Sequence, residues 1–188
     1  MRTAKTVLTV IQERGKQKKP IERVYKLLFN RELYLNAYAK LYPNNGAMTK
    51  GVTNETVDGM SIQKIDRMIE ILREEKYQWK PARREYIKKK NGKKRPLGIP
   101  VWGDKVLQEV MRQILEAYYE PQFSEHSHGF RPNRGCHTAL QEIQVWKGTR
   151  WFIEGDISQY FDTIDHKILL EILARNIHDG RFIRLVSN

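Results

Sequence analysis

Apolar positions along this chain recur mainly at three- and four-residue intervals, the spacing that gathers side chains on one face of a helix. Ile21, Val24, Tyr25, Leu28, Leu33, Ala37 and Leu41 follow it, and Pro20 suits a first helical position, so one or two helices are expected to end before Pro43. Ser61 can cap the next, whose stripe of Ile62, Ile65, Ile69 and Leu72 runs to about Tyr77. A further helix, with Asp104 as its expected cap, carries Val106, Leu107, Val110, Ile114, Leu115 and Tyr118 to a stop at Pro121. Two more are expected, from about Gly135 to Trp146 and around Ile168, Leu169, Ile172 and Leu173.

Three stretches break the helical pattern. Tyr42 to Gly59 is dense in Gly, Asn and Thr with few apolar anchors, which predicts an extended loop of the kind that often carries function. Arg84 to Pro100 reads as a β-hairpin with Asn91-Gly92 at its tip, a pair that readily takes the positive φ angles of a type I′ turn. Trp151, Phe152 and Ile153 are three large apolar residues in succession, which predicts a buried strand over about 150–156. The fold class is therefore α+β, mostly helical.

Charge divides the chain. Residues 1–100 hold 24 Lys and Arg against 10 acids, and residues 101–188 hold 10 against 12, so the overall +12 comes from the first half. A basic segment beside a mildly acidic one points to a polyanion, with nucleic acid favoured over an anionic membrane surface because no run of about 18 apolar residues and no signal-peptide pattern occurs. Residues 1–20 form a basic arm with room for one helix, a composition that suits a disordered tail equally. Lys88, Lys89, Lys90, Lys93, Lys94 and Arg95 crowd the hairpin tip, where like charges facing each other would destabilise an empty sheet and an anion would relieve them. Edge protection by lysine is the alternative. The single cysteine, Cys136, excludes an internal disulfide and fits a reducing, cytoplasmic setting. His126, His128 and His137 lack metal-ligand spacing.

Against this basic background, Asp156 follows the apolar run and Asp162 and Asp165 follow the Tyr160-Phe161 pair. A carboxylate leaving the end of a strand is a hard oxygen ligand suited to Mg²⁺, with capping of the next turn as the lesser alternative. Phe161 could pack against whatever Asp156 holds, or sit in the core.

The stretch "GDISQYFDTIDH" resembles the first catalytic motif of reverse transcriptases, and "KKNGKKRPLGIP", "DKVLQEVMRQIL" and "SHGFRPNRGCHTAL" resemble, in order, segments of the group II intron-encoded reverse transcriptases, also called maturases. The resemblance runs from about Tyr25 onward. It implies right-hand polymerase fingers over residues 21–130 behind the 1–20 arm, and the first strand and helix of the palm over 131–188. It also implies that Asp156, helped by the backbone carbonyl of Ile157, binds two catalytic Mg²⁺ ions; that Lys89 and Arg95 hold the incoming dNTP; and that Phe161 rejects a 2′-hydroxyl. The loop from Asn44 to Gly59 matches the segment that closes over the template. The expected partners are intron RNA, an RNA template and a DNA primer, with Lys88, Lys90, Lys93, Lys94, Arg131 and Arg134 as RNA contacts.

The family completes its site with Tyr-x-Asp-Asp on a later hairpin, and residues 1–188 contain no such sequence. The expectation is a truncated palm whose 188 residues bind RNA without polymerising, and whose uncovered strand beside Trp151 and Ile153 leads to self-association. A non-catalytic RNA-binding module is the alternative reading. A retron or diversity-generating reverse transcriptase is another.

Overall fold

The computed structural model describes residues 2–88, 92 and 94–188, with the side chain of Asp162 also outside the description. The fold is mixed and mostly helical, with two small two-stranded sheets among the described residues. No helix there is long and apolar enough to cross a membrane.

The N-terminal arm is a docked helix, α1 (Ala4–Lys16), begun by the Thr3 hydroxyl accepting from the Thr6 N–H at 3.2 Å. Ala4, Ile11 and Gly15 are its buried face, and basic side chains occupy its last turn. At Gly15 a Cβ would meet the carbonyl oxygen of Tyr118 at 2.1 Å, so only glycine lets α1 lie this close to the helix beneath it.

The helix expected to start at Pro20 does not form there. Ile21–Glu22 is instead a two-residue strand, β1, parallel to β4 (Ile177–His178), and Val24–Phe29 follows as a 3₁₀ helix. Tertiary contacts override the local pattern. The Asp179 carboxylate accepts from the Tyr25 N–H at 2.9 Å and from the Arg181 N–H at 3.1 Å, so it caps α8 (Gly180–Ser187) and fixes the chain 154 residues away. Phe182 and Leu185 of α8 enter the core, where full burial of one such side chain contributes about 1.5–3 kcal/mol.

The expected α2 (Arg31–Leu41) begins after an Asn30 cap and ends before Pro43, and α3 (Ile62–Arg73) begins with the Ser61 hydroxyl accepting from the Lys64 N–H. The stripe of α3 buries Ile65, Met68, Ile69 and Leu72. The hairpin strands β2 (Arg83–Lys88) and β3 (Lys94–Ile99) lead into α4 (Trp102–Tyr119), the helix against which α1 and α2 pack. Asp104 is not its cap. Its buried carboxylate accepts from the Tyr77 hydroxyl at 2.6 Å and the Lys80 N–H at 3.0 Å, tying the approach to β2 onto α4. Burial first, and Asp104 second, push the Tyr77 phenol well above its ordinary value.

Beyond α4 come α5 (Cys136–Gln144), the short α6 (Tyr160–Thr163) and α7 (His166–Asn176). The buried strand expected at 150–156 is absent: residues 151–157 carry no strand, and Trp151 and Ile153 are 87% and 94% exposed. Backbone groups in a buried strand need partners, and no described strand lies beside this segment to supply them.

Candidate nucleic-acid interface

The basic surface is built on β2 and β3. Their antiparallel register runs from Arg83 opposite Ile99 to Lys88 opposite Lys94. A two-residue turn with an unbroken ladder would pair residues 89 and 94, whereas Lys94 pairs with Lys88; the expected Asn91-Gly92 turn includes residues outside the description. Gly92 has φ +79°. Lys89, Lys90, Asn91 and Lys93 lie outside the described residues. Lys88, Lys94 and Arg95 are exposed, and so are Tyr86, Ile87 and Leu97. A two-stranded hairpin bare on both faces is marginal in water, and this one also sets two ammonium groups against each other.

At the hairpin root the loop between α2 and α3 is held in place from two sides. The Lys105 ammonium donates to the carbonyls of Gly46 and Thr49 at 3.2 and 3.1 Å, and Arg83 Nε donates to the carbonyl of Lys50 at 3.0 Å. Burial lowers the Lys105 pKa. These anchors had no signature in the sequence, because a lysine or arginine beside an apolar stripe reads as solvated until its acceptor carbonyls are located.

The turn between α4 and α5 uses its basic residues internally. The side chain of Arg131 is 8% exposed; its guanidinium forms a fork with Glu120 and donates to the carbonyls of Ser124 and Ser127 at 2.6 and 2.8 Å. Arg134 donates to the carbonyl of Glu125. His126 and His128 both meet the carboxylate of Glu142 on α5, His128 at 2.8 Å, and His128 also bonds the Thr138 hydroxyl. His128 first and His126 second hold the Glu142 carboxyl below its usual range. Phe130 and Asn133 take left-handed backbone conformations, which turns the fully exposed Phe130 ring outward.

Asp156, Ile157 and Phe161 are exposed, with Phe161 edge-on to Tyr160 at 5.3 Å between ring centres. Asp156 makes no hydrogen bond or ion pair among the described residues. Asp165 caps α7 instead, accepting from the N–H groups of Lys167 and Ile168 at 2.8 and 3.2 Å.

Residues 87–185, from the hairpin through the acidic segment to α8, match the family described as reverse transcriptase (RNA-dependent DNA polymerase). The chain belongs to the reverse transcriptase family. It is 49% identical over 166 residues to the group II intron-encoded protein LtrA of Lactococcus lactis subsp. cremoris, a match covering 87% of this chain and 28% of that protein. It is 46% identical over 191 residues to an uncharacterized 91 kDa protein in the cob intron of Schizosaccharomyces pombe, covering 97% of this chain and 24% of that one. Nuclear intron maturase 1, mitochondrial, of Arabidopsis thaliana matches at 36% over 90 residues, 47% of this chain and 13% of that protein. The chain thus spans about a quarter of the length of the first two relatives.

Reverse transcriptases generally use divalent metal ions. Among the described residues no group of three His, Cys, Asp or Glu side chains is placed to hold one.

Proposed function

We propose that this chain is the fingers and opening palm segment of a group II intron-encoded reverse transcriptase, and that it holds intron RNA by its phosphates. The observation that carries the RNA part is the exposed hairpin with Lys88 opposite Lys94 on one face and Arg95, opposite Ile87, on the other, in a basic half that is otherwise well packed. Facing ammonium groups gain most from a ligand that brings negative charge between them. Similarity to intron-encoded relatives supports the intron assignment.

Within that reading Asp156 and the carbonyl of Ile157 are contacts for Mg²⁺, two ions in the complete palm, while Lys89, Arg95 and Phe161 meet the incoming dNTP. Lys88, Lys90, Lys93 and Lys94 contact RNA, with Arg134 at the neighbouring turn and Arg131 as the brace that shapes it. The loop anchored by Lys105 and Arg83 stands over the template, and the DNA primer ends near Asp156. Two-metal catalysis needs carboxylates on both sides of the ion pair, and residues 1–188 carry no Tyr-x-Asp-Asp sequence, so RNA binding without primer extension is the reading for these 188 residues on their own.

The salt dependence of RNA binding tests this. For single strands log K falls with log salt at about −0.7 per phosphate neutralised, so changing Lys88 and Lys94 to Ala flattens the slope by about 1.4. An unchanged affinity and slope would contradict the hairpin's role.

A further inference from the structure

A second basic feature lies away from the hairpin tip. Between the loop at Glu55–Met60, the outer face of α3 and the start of α4 is a cavity of about 360 Å³, within the range of about 300–1,000 Å³ in which proteins hold small organic groups. Its apolar wall is formed by Met60, Met68, Ile71, Tyr77, Val101 and Trp102. Four cations, Lys64, Arg67, Lys76 and Lys80, also line it, against two acids.

Both acids already have partners. Glu55 pairs with Lys64 at 3.9 Å, and Asp104 accepts from the Tyr77 hydroxyl and the Lys80 N–H. Lys76 lies 3.0 Å from Glu74, outside the cavity. Arg67 and the Lys80 ammonium have no ion-pair partner among the described residues, and both are exposed. Trp102 is 3% exposed, and its Nε1 donor has no acceptor among the described residues.

We infer that this cavity takes one nucleotide of a single-stranded RNA, its base against the wall of Tyr77, Met68 and Trp102 and its phosphates on Arg67 and Lys80. Aromatic and apolar surface matches a base, and cations at the rim match the phosphates on either side of it, the combination that holds single strands without reading their sequence. A free inorganic anion would leave the apolar wall unused. An acidic peptide would bring carboxylates but no planar group for it. The location supports continuity with the hairpin: Lys80 leads to β2, Val101 follows β3, and both line the cavity. The inference rests on the RNA reading above and adds a second contact to it.

Photocrosslinking of the 188-residue chain to a single-stranded RNA carrying 5-iodouridine, followed by peptide mapping, tests the assignment. Adducts are expected on the peptide holding Tyr77 or that holding Trp102. Arg67→Glu is expected to abolish them and weaken binding about tenfold, while Lys5→Glu, the same charge change on exposed α1, has little effect. Excess uridine monophosphate is expected to leave the adducts in place; their loss would make this a site for free nucleotides and overturn the strand assignment. RNA binding that depends on Lys88 and Lys94 but gives no adduct at Tyr77 or Trp102, or that survives Arg67→Glu undiminished, would overturn the cavity and leave the hairpin standing. No RNA binding by the wild type would overturn both.

Discussion

Lys88 and Lys94 stand directly opposite each other in the ladder between β2 and β3. Two facing ammonium groups cost a sheet roughly 0.2–1 kcal/mol, so this hairpin is less stable empty than an uncharged one and gains more on meeting phosphate. Hydrogen exchange at the amides of β2 and β3 is expected to slow when RNA is added. In Lys94→Thr it is expected to be slower without RNA and to change less with it. Exchange in the wild type that ignores RNA would contradict this use of the pair.

Glu109 on α4 is buried, yet Arg112 forks onto it at 2.7 and 2.8 Å and Lys40 lies 3.4 Å away. Burial works against its charge, but the hydrogen bond and charge of Arg112, with Lys40, outweigh it and hold the carboxyl below the usual glutamate range. A depressed carboxyl stabilises the fold fully above its unfolded pKa of about 4.3 and loses that contribution as pH falls through the lower folded value. Glu109→Gln is expected to cost about 1–3 kcal/mol at pH 7, with solvent at Arg112 keeping it toward the lower end. The gap to wild type narrows below about pH 4. Urea midpoints measured from pH 7 to pH 3 would show the convergence, and parallel curves would contradict it.

Much of the scaffold was legible because it is local. The Ser61 cap and apolar stripe of α3, the long stripe of α4 and the two hairpin strands each carry their signal within about twenty residues. What failed to show was non-local. Pro20 and the following stripe describe a good helix start, and only Asp179 and β4, contributed from the far end of the chain, turn that segment into β1 and a 3₁₀ helix. Asp104 looked like a cap by position but points its carboxylate at Tyr77. Trp151 to Ile153 has a strand's composition, yet composition cannot provide the neighbouring strand that would bury it.

That exposed segment has a consequence for behaviour in solution. Trp151, Phe152, Ile153 and Ile157 form a run of exposed apolar residues, the kind of surface that associates when nothing covers it. Light scattering on the 188-residue chain is expected to show mass rising with concentration, and Trp151→Ser with Phe152→Ser is expected to reduce it. A concentration-independent monomer in the wild type would contradict the expectation.

Phe161 is exposed beside Tyr160. If its ring limits space at the sugar of an incoming nucleotide, Phe161→Val in a complete reverse transcriptase carrying this segment raises ribonucleotide incorporation relative to deoxyribonucleotide by about tenfold or more, equivalent to about 1.4 kcal/mol of lost discrimination. The ratio is read from competing extension products. An unchanged ratio in an active variant would leave Phe161 as a packing residue.

Under the proposed reading, Asp156 is the first metal-binding carboxylate of a polymerase, joined to a fingers segment that holds RNA. The most direct measurement is extension of a DNA primer on an RNA template in Mg²⁺ by a complete group II intron reverse transcriptase carrying residues 1–188 as its fingers and opening palm, for wild type and Asp156→Asn, with RNA affinity measured alongside. The account predicts template-dependent extension by the wild type, loss of at least a thousandfold in the variant, and RNA affinity unchanged within about twofold. Extension by Asp156→Asn at a rate near wild type would contradict it.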